Sequence, residues 1–267
     1  MRSKVAMAIA AHPDDIEFMM AGTLLLLKQA GWTIHMWNLA NGHCGSATLD
    51  TDEIVRKRWE EAEQSAKIAG AILHLPLVQD LAITYDPLLL ARVTGVIRQV
   101  KPNILFVPSL QDYMEDHSTT ARLAVTAAFA RGMRNFQTDP AALAWEGECM
   151  IYHALPFGLR DGMRKRIYPE LYVNVAQVHQ KKIAMLEQHS SQKDWLDVSQ
   201  GTGSYIAQMV AQDREVGGLS GAFPLAEGWR RHSHLGFSAE DVDPLREILG
   251  GGCRYNEAYA ATLDESL

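Results

Sequence analysis

The feature that most constrains the fold is a sharp change of character near the N-terminus. An unbroken apolar run, Val5 to Ala11, stops at His12-Pro13-Asp14-Asp15, and a second apolar run extends from Ile16 to Leu27. A short run without alternation reads as a strand covered on both faces, and the longer run after it reads as a buried helix. Open α/β sheets bind their ligands where such strands end. His12 and Asp15 can converge across the turn, and imidazole nitrogen with carboxylate oxygen is a common zinc pairing once a third ligand arrives. Asp14, between them, is free to act as a base on a metal-activated water. The same residues have a plainer reading, with Asp14 or Asp15 as the helix N-cap and Pro13 at the helix start.

The rest of the chain narrows the class. Its 267 residues suit one large domain or a domain with a long C-terminal extension, and a hydrophobic content of 47% supplies a substantial core. A net charge of −7 argues against a role in nucleic-acid binding. Cys44, Cys149 and Cys253 are too far apart for a zinc knuckle or a disulfide framework, so a reduced compartment is the default. A cleaved leader would remove the His-Pro-Asp-Asp stretch, and the apolar run Phe18 to Leu27 is too short to span a bilayer. These points predict a cytoplasmic protein without membrane insertion.

Strands are predicted over residues 4–10, 33–39, 71–75, 103–107 and 148–154, with helices over 15–30, 52–69, 87–100 and 118–131 between them. This alternation predicts right-handed βαβ units and a mostly parallel sheet. Beyond it, residues 171–174 read as a short edge strand and 178–188 and 205–216 as amphipathic helices. Residues 217–221 read as a flexible loop bordering the active site, and 241–267 as a tail containing three consecutive glycines.

A second chemical cluster follows the strand at 103–107: Asp112-Tyr113-Met114-Glu115-Asp116-His117. The ends of the first and fourth strands face one sheet edge, so His117 can reach the point shared by His12 and Asp15. Two histidines and one carboxylate leave an open coordination position for water. Alternatively, Asp116 caps the next helix and His117 is an ordinary first-turn residue.

Five ordered elements resemble the LmbE-like (PIG-L) family of zinc-dependent N-acetylglucosaminyl deacetylases. They are Ala11-His12-Pro13-Asp14-Asp15, Arg58-Trp59-Glu60-Glu61 on a helix ending at Gly70, the Asp112–His117 box, Lys182 with His189-Ser190-Ser191-Gln192, and Ala226-Glu227-Gly228-Trp229. The resemblance covers roughly residues 4–230. It implies a Rossmann-like three-layer α/β sandwich with a mostly parallel central sheet and a C-terminal extension. It also implies a single domain over 1–267, with the βα core in 1–135 and the completing strands, helices and cleft-covering segments in 145–267. By the same resemblance, His12, Asp15 and His117 bind zinc or another divalent metal, and Asp14 is the general base. Asp112 and Arg58 are assigned to the substrate; Arg58 has a competing partner in Glu61 on its own helix. The implied substrate is a small N-acetylated, sugar-containing molecule, and homo-oligomers are common in the family.

One departure stands out. The family box begins with a histidine thought to stabilise the charged intermediate, and this chain has Met114 there. A thioether cannot donate to an oxyanion. His153 at a strand end and His234 in Arg230-Arg231-His232-Ser233-His234 are the replacement candidates. His189 reads instead as a helix C-terminal residue whose partner is the dipole or a backbone carbonyl. The expected function is acetyl removal by a zinc-activated water. The alternatives are the same chemistry on a non-sugar N-acyl compound, or a non-catalytic α/β small-molecule-binding protein. The last is disfavoured because no glycine-rich turn follows the first strand.

Overall fold

The computed structural model describes residues 4–192 and 205–263. Its strands are β1 (Val5–Ala10), β2 (Thr33–Asn38), β3 (Ile72–His74), β4 (Ile104–Val107), β5 (Met150–Ala154), β6 (Leu171–Asn174), β7 (Ala226–Arg231) and β8 (Cys253–Tyr255). The helices are α1 (Asp15–Met19), α2 (Ala21–Gln29), α3 (Thr51–Ala69), α4 (Pro87–Val100), α5 (Glu115–Ala130), α6 (His179–Leu186), α7 (Tyr205–Ser220), α8 (Pro244–Leu249) and α9 (Glu257–Leu263).

β1 is buried on both faces. Ala6, Ala8 and Ala10 enter one core, while Met7, Ile9 and Ala11 enter the other. The first core takes residues from α1, α2, α3, α6 and α7, and the second is closed by α4 and α5. All strands share one sheet in the order β3-β2-β1-β4-β5-β7-β6-β8. The pairs among β3, β2, β1, β4 and β5 are parallel, and β7, β6 and β8 add antiparallel pairs. The expected mixed α/β sandwich with a mostly parallel sheet is therefore present. The chain builds outward from β1 through β2 to β3, then returns to place β4 on β1's other side. The order reverses between β1 and β4, which opens a crevice beyond their carboxyl ends. Among the described residues, no helix is long and apolar enough to cross a membrane.

Several expectations are corrected. The single helix over 15–30 breaks at Met20, whose φ of −132° is not helical. The cause is a long-range contact at the start of α2. Glu227 Oε1 accepts from Gly22 N at 2.7 Å, and Oε2 accepts from Thr23 N at 2.8 Å and Thr23 Oγ1 at 2.6 Å. A carboxylate there satisfies free N–H groups and faces the positive end of the dipole. The Arg230-Arg231 run forms the end of β7, an interior strand. Arg231 Nε donates to Glu170 Oε1 at 2.7 Å, and the Arg230 guanidinium stacks 4.7 Å from the Tyr259 ring centre. Residues 171–174 are not at the sheet edge, because β8 pairs outside them. Gly217 and Gly218 lie within α7 rather than in a loop at the site. A side chain at Gly217 would meet Phe223 O at 2.8 Å and Leu225 N at 2.9 Å, so glycine permits a close backbone approach. The tail returns to its own sheet through β8; residues 264–267 lie outside the described residues.

Lys182 and Glu227 both belong to the sequence resemblance and meet in the interior. The Lys182 side chain is 0% exposed, with Nζ 2.9 Å from Asp213 Oδ2 and 2.8 Å from Glu227 Oε1. Removing the ammonium leaves two buried carboxylates without their shared cation, and breaking such a cluster typically costs about 3–5 kcal/mol. Lys182→Met is expected to lower the unfolding free energy by about that amount in urea denaturation. A loss under about 1 kcal/mol would show that the cluster is not needed to hold α2, α6 and β7 together.

Candidate metal centre and active-site cleft

β1 ends at Ala10, and the turn 11–14 delivers His12, Asp14 and Asp15 to the crevice. α5 begins at Glu115, three residues earlier than expected, which places Asp116 and His117 in its first turn. The two segments meet. One donor atom each from His12, Asp15 and His117 lies within 4.8 Å of the others, and all three residues are buried. His117 Nε2 is 3.3 Å from Asp15 Oδ1, and His12 Nδ1 is 3.6 Å from Asp15 Oδ2.

The far nitrogen of each imidazole turns to a second carboxylate. His12 Nε2 donates to Asp116 Oδ2 at 3.0 Å, and His117 Nδ1 lies 3.2 Å from Asp112 Oδ2. Carboxylates behind metal-binding histidines fix the tautomer and aim the free nitrogen. The chemistry of the set fits a divalent cation: two imidazoles and one carboxylate converge within a cluster of acids. Burial opposes charge on His12, but Asp116 and Asp15 outweigh it and push its pKa up to about 9. Burial likewise opposes charge on His117, and Asp15 and Asp112 overcome it. Asp15, which burial alone would raise, is held well below the usual carboxylate range by His117 and His12. The surroundings thus favour positive charge at this point, as a bound cation would supply.

Asp14 occupies a strained position, with φ at +106°, a region that side-chain-bearing residues rarely adopt. Such a conformation costs of order 1–3 kcal/mol and persists where neighbours over-determine it. Here the neighbours are Arg58 and Tyr205. Arg58 Nη2 donates to Pro13 O and lies 3.4 Å from Asp14 Oδ1, and Tyr205 Oη donates to Asp14 Oδ2 at 3.0 Å. Burial raises the Asp14 pKa above its ordinary value, with Arg58 pulling against it.

Arg58 therefore does not pair with Glu61. Glu61 instead accepts from Ser190 Oγ at 2.9 Å, Ser191 N at 2.9 Å and Ser191 Oγ at 2.5 Å, bringing Gln192 to the cleft wall. The cleft has a volume of about 300 Å³ and includes His12, Asp14, Asp15, Arg58, Tyr113 and Met114 in its lining.

Four sequence assignments change. Asp112 does not line the cleft: its side chain is fully buried behind His117 and faces the imidazole Nδ1 rather than the cleft. His153 also lies outside the cleft lining. Its Nδ1 donates to Pro108 O at 3.0 Å and its Nε2 is 3.0 Å from His232 Nδ1, so both ring nitrogens are engaged. His234 sits at a separate small cavity with Met150, Tyr152 and Phe237. His189 partners neither dipole nor carbonyl; its Nε2 is 3.2 Å from Glu17 Oε1. Tyr205 escaped sequence reasoning because it reaches Asp14 from 191 positions away, on a helix with no motif around it.

Two measurements follow from this geometry. Asp112→Ala is expected to weaken zinc binding by about 10–100-fold in chelator competition. Unchanged affinity would remove Asp112 from the site. Burial pushes the His153 pKa down from 6.5 to about 4, while its bond to Pro108 opposes the shift. The unfolded chain therefore gains this proton first as the pH falls. The contribution is complete above pH 6.5 and is lost between pH 6.5 and about 4, amounting to up to about 3 kcal/mol. Urea denaturation at pH 7 and 4.5 should show a steeper acid loss for the wild type than for His153→Gln; equal slopes would contradict the assignment.

Residues 7–128 match the family model described as GlcNAc-PI de-N-acetylase (PIG-L). A curated relative, 4-oxalmesaconate hydratase from Pseudomonas putida, is 28% identical over 132 residues, covering 46% of this chain and 51% of that protein. The matched stretch thus spans about half the length of that relative. N,N'-diacetylchitobiose deacetylase from Pyrococcus horikoshii superimposes with a TM-score of 0.73 at 20% identity, over 91% of this chain and 89% of that one. The 4-carboxy-2-hydroxymuconate hydratase of Pseudomonas putida gives 0.69 at 22% identity, over 90% and 100%. At these identities the structural likeness is one of fold. The PIG-L (LmbE-like) family match covers the β1 turn, the Arg58 helix and the Asp112–His117 box together.

Proposed function

We propose that the protein is a metal-dependent N-deacetylase acting on an N-acetylglucosamine-like substrate. The observation that carries this reading is the Asp14 carboxylate, buried and held between Arg58 and Tyr205 beside the His12–Asp15–His117 cluster in one cleft. The family description, which names a de-N-acetylase, supports it.

His12, Asp15 and His117 would hold the metal, which we take to be zinc; when bound, it supplies a Lewis acid that polarises an amide carbonyl and acidifies water. Asp14 takes the proton of the attacking water and returns it to the departing amine. Its raised pKa suits this exchange, because a base works best when its pKa approaches the operating pH. Arg58 and Tyr205 hold both carboxylate oxygens in place. Burial and the nearby Asp14 keep Tyr205 protonated, so it remains a donor. Met114 lines the cleft and offers no donor to a developing oxyanion. We assign that task to Tyr113, which lines the same cleft with its ring edge-on to His117 at 6.0 Å. It replaces His153 and His234, which lie outside that lining.

A second reading keeps the metal and the base but takes a non-sugar substrate, either an N-acyl compound or an unsaturated acid that adds water. Met114 favours it by marking a pocket altered from the family pattern, and the curated relative is named as a hydratase.

Asp14→Asn should bind metal as the wild type does while acetate release falls about 10²–10⁴-fold. Full activity in that variant would remove Asp14 from the mechanism. Tyr113→Phe should lower kcat by about 10²–10³ with little change in KM, the cost of one oxyanion donor. Assay of the zinc-loaded protein against N-acetyl sugars, other N-acyl compounds and unsaturated acids separates the two readings. Turnover confined to non-sugars would replace the first with the second.

A further inference from the structure

We propose a second divalent-metal site, formed by His43, Cys44 and Asp80 at the rim of the cleft. The three residues offer an imidazole nitrogen, a thiol sulfur and a carboxylate oxygen, all within 4.8 Å of one another. Cys44 Sγ is 3.7 Å from His43 Nδ1, and His43 Nδ1 is 3.8 Å from Asp80 Oδ2. Metal bonds of about 2.0–2.3 Å meeting at tetrahedral angles place ligand atoms roughly 3.3–3.7 Å apart. The sulfur–nitrogen spacing lies at the edge of that range and the nitrogen–oxygen spacing just above it, and the sulfur and carboxylate oxygen lie within 4.8 Å, so an ion would draw the Cys44 side chain inward as it binds.

Hydrogen bonds hold the backbone around the donors. Asp80 Oδ1 accepts from Gly42 N at 2.7 Å, and Oδ2 accepts from Cys44 N at 2.9 Å. The same carboxylate therefore orders the loop that carries the other two donors and retains lone pairs for an ion. The imidazole gives up only a long bond, accepted by Nδ1 from Asp80 N at 3.2 Å. Cys44 is exposed, so an ion can reach it from solvent. As the sulfur–metal bond forms, the thiol proton leaves to solvent. Sulfur with imidazole selects zinc and similar thiophilic ions over magnesium or calcium. No ligand is shared with the His12–Asp15–His117 cluster, yet the two sites adjoin. Leu81 N, next to Asp80, donates at 2.8 Å to the same Asp116 oxygen that holds His12. Cys44 and Asp80 also line the cleft itself, so an ion there would stand at the path of an incoming substrate.

The donor sets differ in one decisive atom, because the His12 cluster contains no sulfur. Protein stripped with a chelator is titrated with zinc and, separately, with cobalt, for the wild type, Cys44→Ser and His12→Ala. The wild type should bind two zinc ions per chain, and Cys44→Ser one. Cobalt should produce a near-ultraviolet sulfur-to-metal charge-transfer band in the wild type and in His12→Ala, but not in Cys44→Ser. A single zinc in the wild type that Cys44→Ser still binds, a cobalt complex without that band, or a band that survives Cys44→Ser would each overturn the proposal; a single zinc that Cys44→Ser loses would instead uphold this site and count against the His12 cluster. So would loss of the band in His12→Ala, which would make the two sites one. None of these readouts depends on the reaction proposed for the cleft.

Discussion

The candidate centre depends on two imidazoles, each fixed from behind by a carboxylate and aimed at a common point. Histidine presents a free nitrogen in a chosen direction only when its other nitrogen is anchored. Asp116 anchors His12 through a hydrogen bond and Asp112 stands at ion-pair distance behind His117, and both come from the short segment after β4. The arrangement requires the ends of β1 and β4 to lie side by side. The reversal of strand order between them supplies this, and continuous burial of β1 on both faces holds it there. Buried acids and imidazoles are costly unless they are paired or bind metal. The cluster is therefore tolerated in a well-packed interior because each member has a partner of opposite charge.

Strain is concentrated on the residue assigned the proton transfer. Asp14 is left-handed at +106°, although none of its immediate neighbours departs from an ordinary backbone. Arg58 reaches it through the Pro13 carbonyl as well as the carboxylate, clamping the backbone and side chain of one turn together. The room for that clamp comes from the loop above it. A Cβ at Gly42 would lie 2.5 Å from Arg58 Cδ, and one at Gly45 would lie 2.5 Å from Arg58 Nη1. The glycines of the 41–46 loop thus complete a contact begun two elements away.

What could be read from the sequence follows the range of the forces involved. The β1 turn and the Asp112–His117 box are local patterns, and strand adjacency in a βαβ unit brings them together with little further information. The individual roles within the box were less accessible. Asp112 and Asp116 look alike in sequence, and only three-dimensional placement shows that each stands behind a different imidazole. The break at Met20 was hidden because nothing in its vicinity favours it; the capping carboxylate comes from β7. The partners of the Arg230-Arg231 pair, Glu170 and Tyr259, lie far along the chain and leave no mark on the local pattern. His153 and His234 were sensible candidates for a missing donor by residue type, yet orientation across the sheet decides which side chains reach a cleft.

The Glu227 carboxylate has a consequence for how the chain is made. During synthesis from the N-terminus, residues 1–135 leave the ribosome long before Glu227 does. Until that carboxylate arrives with its Lys182 and Asp213 partners, the N–H groups of Gly22 and Thr23 lack the acceptor that terminates α1 and restarts α2. The α1–α2 boundary and the Tyr205 side of the Asp14 clamp therefore both await segments made later in the chain.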